Sequence, residues 1–106
     1  MNSQKLFYPI GEVAEMFNLP TSTIRFWEKE FDILKPKKNK KGNRLFTNED
    51  IENLRVIYAL VKENGYTLSG AKAHLKAVKK GDPETIELQK SLLNIRKKLE
   101  ELREIL

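Results

Sequence analysis

A break at Asn18-Leu19-Pro20 separates two short helical patterns near the start of the chain. Proline has no backbone N–H and disfavours helical geometry in the residue before it, so one continuous helix cannot cross this point. The apolar residues before the break recur at helical spacing and share one face: Ile10, Val13, Ala14 and Phe17. The pattern predicts a first helix over about residues 10–17.

A second helix is expected directly after the break, over about residues 22–30, with Thr21 or Ser22 as its N-terminal cap. Its inward stripe consists of Ile24, Trp27, Glu28 and Phe31. We therefore expect Trp27 in the core and Phe26 on the outer surface. Two short helices joined by a tight turn form the helix-turn-helix pattern, which also occurs by chance in small helical proteins.

A short basic segment follows the second helix. Residues 35–44 carry six positive charges and no acid, in a chain whose net charge is only +5. Residues 33–36 are expected to be extended, residues 40–43 to form a turn, and residues 44–46 to return as a second strand. A basic hairpin in this place predicts a wing, residues 37–44, that contacts phosphate. An ordinary solvated loop is the alternative.

Two further helices are expected. Thr47 with Asp50 resembles a capping box at the start of the third helix, and Asn64-Gly65 supplies its end. Its apolar stripe consists of Ile51, Leu54, Ile57, Tyr58 and Val61. The fourth helix starts at Thr67-Leu68-Ser69, stops at Gly81-Asp82-Pro83, and places Ala71, Leu75 and Val78 on its apolar side.

The segment beyond Pro83 carries a heptad pattern with balanced charge. Apolar residues with alternating spacings of four and three form a seam: Leu88, Leu92, Ile95, Leu99, Leu102 and Leu106. One isolated helix cannot bury such a seam, which predicts self-association as a coiled coil of either orientation. Packing back onto the same chain is the alternative. The expected division is a domain over residues 1–81 and a dimerisation helix over residues 84–106.

The sequence shows none of the residue patterns that typically bind metals or catalyse reactions. With no cysteine and one histidine, His74, which we expect on a helix surface, it predicts neither a metal site nor a cofactor. Catalytic sets and phosphate-cradling glycine loops are missing, so an enzyme is not expected. Without an apolar run long enough for a signal peptide or a membrane helix, we expect a cytoplasmic protein without a membrane partner.

Several tracts, in this order and spacing, resemble the DNA-binding half of MerR-family transcription regulators. They are Tyr8-Pro9-Ile10-Gly11-Glu12-Val13-Ala14, Thr23-Ile24-Arg25-Phe26-Trp27-Glu28, Leu34-Lys35-Pro36, Gly42-Asn43-Arg44-Leu45-Phe46-Thr47, Asp50-Ile51 and Gly65-Tyr66-Thr67-Leu68. The resemblance implies a mainly helical protein: a winged helix-turn-helix with a small two-stranded β wing, followed by a C-terminal coiled-coil helix. It also implies a homodimer that binds double-stranded DNA at promoters, where RNA polymerase is a further partner.

The resemblance also implies which residues meet DNA. The second helix would enter the major groove, and the wing would follow the backbone. The candidate DNA-binding residues are Thr21, Ser22, Thr23, Arg25, Phe26, Lys29, Lys38, Lys40, Lys41, Asn43 and Arg44. Where many members of the family have tyrosine, this chain has Phe26, Trp27 and Asn43, so phosphate contacts through tyrosine are not expected there. An architectural DNA-binding protein, excisionase-like or chromosome-organising, and a coiled-coil interaction adaptor are the alternatives.

Overall fold

The computed structural model describes residues 6–93 of the chain. The chain divides into two compact units, residues 1–54 and residues 55–106, and the boundary lies within a helix. We call them the N-terminal unit and the C-terminal unit. The expected division into residues 1–81 and 84–106 stays a prediction.

The N-terminal unit begins with a short strand and two helices. Strand β1 (Tyr8–Pro9) leads into α1 (Ile10–Phe17), and α2 (Thr21–Glu30) follows after a tight turn. Asn18 ends α1 in the left-handed conformation, with φ of 53°. Both helices agree with the sequence pattern, but the expected cap of α2 was wrong. The cap residue is the extended Pro20, without a side-chain hydrogen bond, so Thr21 and Ser22 already lie inside the first turn.

A three-stranded antiparallel sheet completes this unit. Strands β2 (Lys37–Lys38) and β3 (Arg44–Phe46) form a hairpin, and α3 (Asn48–Tyr58) starts after it. The second strand lies where it was predicted, but the first lies at Lys37–Lys38 and not at residues 33–36, because Ile33 is still part of the turn after α2. The strand order is β1-β3-β2, with Tyr8 opposite Phe46. The sequence predicted two strands; β1 was missed because a pair of residues leaves no alternating pattern to detect.

The core of the N-terminal unit lies between the helices and β3. Its buried apolar residues come from every helix of the unit, from the segment that follows α2 and from β3: Val13, Ala14, Phe17, Ile24, Trp27, Phe31, Leu34, Phe46, Ile51 and Leu54. Trp27 is 3% exposed, which confirms it as a core residue. Its neighbour Phe26 is 49% exposed and points outward as expected.

The C-terminal unit contains the end of α3, one π-helical turn (Ala59–Glu63) and α4 (Leu68–Lys79). Gly65, with φ of 68°, ends the first helical segment as predicted. The hydroxyl of Thr67 accepts the backbone N–H of Gly70 and caps α4. A further helix, α5, covers residues 83–93 of the described chain. Hydrogen bonds from Thr85 cap this helix and lower the pKa of Asp82.

His74 corrects one expectation, because it is buried rather than on a helix surface. Its Nε2 lies 3.1 Å from Oε1 of Gln89 on α5. Its ring meets the ring of Tyr66 edge to face, with centroids 5.8 Å apart. Position 74 shares a helical face with Ala71 and Leu75, so the spacing was informative and only the residue type was misread.

The described part of α5 contains the first residues of the predicted seam. Leu88 is 45% exposed, and Leu92 is half-buried. The other seam residues, Ile95, Leu99, Leu102 and Leu106, lie outside the described residues. The seam therefore remains a prediction, and its first leucine is exposed in the structure.

Candidate nucleic-acid interface

Helix α2 has one buried face and one exposed face. Ile24 and Trp27 are buried, whereas Ser22, Arg25, Phe26 and Lys29 are exposed. Spacings of three and four residues place the exposed four on one side of the helix. Thr21 and Thr23, also predicted to meet DNA, are half-buried in the first turn. The exposed face combines a hydroxyl, two cations and an aromatic ring.

An open depression of about 490 Å³ lies between α2 and β3. Five of its six lining residues are predicted DNA-binding residues, and Glu28 is the sixth: Ser22, Arg25, Phe26, Glu28, Lys29 and Arg44. The fold thus brings the exposed face of α2 and the base of the wing into one surface. We call this surface the helix–wing depression.

Arg44 and Glu28 form an ion pair across the helix–wing depression. Nε of Arg44 donates to Oε2 of Glu28, joining β3 to α2. The two side chains are 29% and 18% exposed, so the pair is partly shielded from water. The sequence pattern placed Glu28 on the inward stripe of the second helix. In the structure its carboxylate pairs with Arg44.

The tip of the wing is a turn that is stabilised by hydrogen bonds. Oδ1 of Asn39 accepts the backbone N–H groups of Lys41 at 2.9 Å and Asn43 at 3.0 Å. Gly42 has a φ of 81°, a conformation that glycine adopts without steric cost. The turn exposes Lys40, Lys41 and Asn43. Three of the predicted DNA-binding residues are therefore presented on an ordered tip.

Below the tip, β2 and β3 carry further cations. Lys38 is exposed and lies directly opposite Arg44 in the sheet register. Lys37 is also exposed, and its ammonium lies 5.9 Å from the centre of the Phe7 ring, within cation–π range. The charges of residues 35–44 are thus distributed along an ordered hairpin.

Two features of this surface were missed by sequence reasoning. The pairing of Glu28 with Arg44 was missed because sixteen positions separate the residues, and no local pattern joins them. The contact of Lys37 with Phe7 was missed because it depends on β1. The sequence contained one signal for the ion pair, namely an acidic residue, Glu28, among the cations of α2.

The described chain has neither a metal cluster nor a membrane helix. Within residues 6–93, no three His, Cys, Asp or Glu side chains are grouped so as to hold a metal ion. Over the same residues, no helix is both long and apolar enough to cross a bilayer.

Comparison with known proteins identifies sequence relatives. The family model described as MerR HTH family regulatory protein matches residues 8–78. The HTH-type transcriptional regulator MlrA of Salmonella typhimurium (strain SL1344) is 33% identical over 86 residues, which cover 81% of this chain and 35% of MlrA. The HTH-type transcriptional regulator GlnR of Bacillus anthracis is 31% identical over 99 residues, covering 93% of this chain and 73% of GlnR. The chain thus spans about a third of the length of the MlrA relative.

A solved structure extends the similarity to the fold. HiNmlR, described as a MerR family regulator lacking the sensor domain and bound to promoter DNA, matches with a TM-score of 0.66 and 25% identity. The match covers 94% of this chain and 78% of HiNmlR. The match agrees with the predicted winged helix-turn-helix fold. In this chain the small sheet has three strands, whereas two were predicted.

Proposed function

The chain belongs to the MerR HTH family of regulatory proteins, and we propose that it binds double-stranded promoter DNA as a transcription regulator. The observation that carries this proposal is the set of exposed cations on α2 and the wing of the N-terminal unit. The helix–wing depression supplies Arg25 and Lys29, and the wing adds exposed Lys38, Lys40 and Lys41. The structural relative bound to promoter DNA supports the same use of this fold.

In this proposal α2 lies in the major groove, where each base pair displays a distinct pattern of donors and acceptors. Arg25, exposed on α2, is the candidate for reading a guanine through two hydrogen bonds. The hydroxyls of residues 21–23 lie in the first turn of α2, where the positive end of the helix dipole also favours a phosphate. The wing lysines and Asn43 contact the backbone and fix the register without reading sequence.

The protein is further proposed to act as a homodimer. One basic surface makes few contacts, whereas two surfaces related by a twofold axis read a near-palindromic site. The dimerisation element in this proposal is the leucine seam of residues 84–106, and residues 1–81 form the DNA-binding domain. Exposed Leu88 on α5 supports a partner for the seam.

A promoter regulator acts beside RNA polymerase, which makes the polymerase a second partner in this proposal. It would also place the protein at the nucleoid, in the cytoplasm. The relatives are transcriptional regulators by name, which supports a regulatory function over a catalytic one.

The test is a gel-shift titration on duplexes selected from the native genome, with salt concentration as the variable. We expect Arg25→Ala to lower affinity for the selected site by about 1–3 kcal/mol with little effect on unrelated duplex. Lys40→Ala/Lys41→Ala should weaken binding to all duplexes. It should also reduce the salt slope by about 0.9 for each phosphate that the protein no longer neutralises. Lys62→Ala, which removes an exposed cation outside this surface, is the matched control.

The outcomes separate three functions. Wild-type affinity and salt dependence in both the Arg25 and the lysine variants would refute DNA binding by this surface and favour a protein-interaction adaptor. Footprinting then decides between the two DNA-binding functions. One protected site between promoter elements supports regulation, whereas scattered or junction-specific protection supports an architectural role.

A further inference from the structure

Glu28 is an unexpected residue in a surface proposed to bind a polyanion. Of the charged side chains that line the helix–wing depression, Arg25, Lys29 and Arg44 attract phosphate, whereas Glu28 repels it. On simple Coulomb grounds, replacing Glu28 by a neutral residue would strengthen DNA binding. Its ion pair with Arg44 argues for the opposite.

The carboxylate of Glu28 engages one defined part of Arg44. It accepts from Nε, and this leaves the N–H groups of the terminal nitrogens for another acceptor. Arginine is planar, so a partner on the Nε edge fixes the direction of the whole fork of donors. Both side chains are more than two-thirds shielded, which strengthens the pair relative to one in open solvent.

Arg44 also needs a counter-charge from the side of α2. Its cross-strand partner is Lys38, and like charges directly opposite in a sheet repel each other. The carboxylate of Glu28 offsets that repulsion. It also gives the long side chain of Arg44 a fixed anchor beside the open depression that it lines.

We propose that Glu28 is a positioning residue, which holds Arg44 so that its terminal nitrogens bind one backbone phosphate of the duplex in the helix–wing depression. The inference rests on the proposed DNA binding and deepens it. Glu28 contacts no DNA in this arrangement; it acts only through Arg44. Removal of this negative charge should therefore weaken binding, against the simple electrostatic expectation.

The experiment compares variants in gel-shift titrations over a range of salt concentrations, with circular dichroism to verify that each is folded. Glu28→Ala should weaken binding to specific and unrelated duplexes alike by about tenfold, the effect of removing one charge-assisted hydrogen bond to phosphate. Its salt slope should fall by about 0.9, as in Arg44→Ala. Glu28→Gln keeps an oxygen that accepts from Nε and should restore binding to within about threefold of wild type.

The control is Glu15→Ala, which removes the same charge from an exposed position on α1 and should leave binding and slope unchanged. Adding Glu28→Ala to Arg44→Ala should cause no further weakening, because both changes remove the same interaction with phosphate. Arg44→Lys is the second variant should Glu28→Ala fail to fold. Its single ammonium pairs with Glu28 but lacks the planar fork of donors that Glu28 would direct at a phosphate, so it should bind more weakly than wild type.

Three results would overturn the inference: tighter or unchanged binding by Glu28→Ala, an unchanged salt slope, or wild-type binding by Arg44→Lys. Tighter binding would mean that Glu28 competes with the phosphate for Arg44. Failure of the wild-type protein to bind any duplex would instead refute the proposed function. The two failures are therefore distinguishable.

Discussion

One carboxylate oxygen of Asp50 accepts a hydrogen bond from the backbone N–H of Lys35 at 3.0 Å, joining the start of α3 to the segment between α2 and β2. The second oxygen accepts from the backbone N–H and the hydroxyl of Thr47, each at 3.0 Å. The hydroxyl of Thr47 also accepts the backbone N–H of Asp50, which completes the predicted capping box. Because Asp50 is buried, water cannot replace these bonds easily.

Asp50→Ala should lower the free energy of unfolding by about 3 kcal/mol, since it removes a cap and leaves a shielded N–H group unpaired. Asp50→Asn keeps one acceptor oxygen and should cost about half as much. Urea denaturation followed by the fluorescence of Trp27, the one tryptophan of the chain, measures both. Glu49→Ala removes a neighbouring exposed acid and should change stability by less than about 0.5 kcal/mol. Equal destabilisation by Asp50→Ala and Glu49→Ala would contradict this assignment.

Two glycines should respond to alanine with opposite signs. Gly42 at the wing tip has a φ of 81°, where an L side chain is strained, so Gly42→Ala should cost about 1–2 kcal/mol. Gly11 lies in α1, and a Cβ added there meets nothing within 4 Å. Gly11→Ala should therefore stabilise the protein by about 0.5 kcal/mol. Denaturation midpoints of both variants test the pair, and a shift of the same sign in both would show that one backbone assignment is wrong.

Local patterns were enough to predict most of the helices within residues 6–93. The apolar spacing from Ile10 to Phe17 and the break at Pro20 give α1 and the turn, because helix periodicity and proline geometry depend only on neighbouring residues. The same holds for the cap at Thr47 and the left-handed end at Gly65. Each of these signals lies within a few residues of the feature that it specifies.

Contacts between distant segments were not predictable in this way. The bond from Lys35 to Asp50 and the pair of Glu28 with Arg44 join residues about fifteen positions apart, and neither changes a local pattern. The partner of His74, Gln89, lies fifteen positions away in the next helix and left no local signal either. The candidate site was therefore predictable as a set of cations, but not as the arrangement that orients them.

Trp27 and Phe26 are adjacent aromatic residues whose replacement should separate stability from binding. Trp27→Ala removes a side chain that is 3% exposed and should destabilise the protein by about 3–5 kcal/mol. Phe26→Ala removes a side chain that is 49% exposed and should cost less than about 0.5 kcal/mol. The proposed function adds that Phe26→Ala weakens DNA binding, because its ring lines the helix–wing depression. Thermal unfolding followed by circular dichroism measures stability, and gel-shift titration measures binding. Unchanged binding by Phe26→Ala would show that this ring is not part of the interface.

The predicted seam is tested most directly at Leu88, the exposed leucine at its start. Leu88→Lys should shift the protein from dimer to monomer in sedimentation, because a charge in an a/d position cannot be buried against a partner. Its helical content should be retained, since the side chain is already 45% exposed in the single chain. Glu87→Lys, at an exposed neighbouring position outside the seam, is the control and should remain dimeric. An unchanged dimer mass for Leu88→Lys would place the dimer contact elsewhere, and a monomeric wild type would favour packing of the leucine stripe on its own chain.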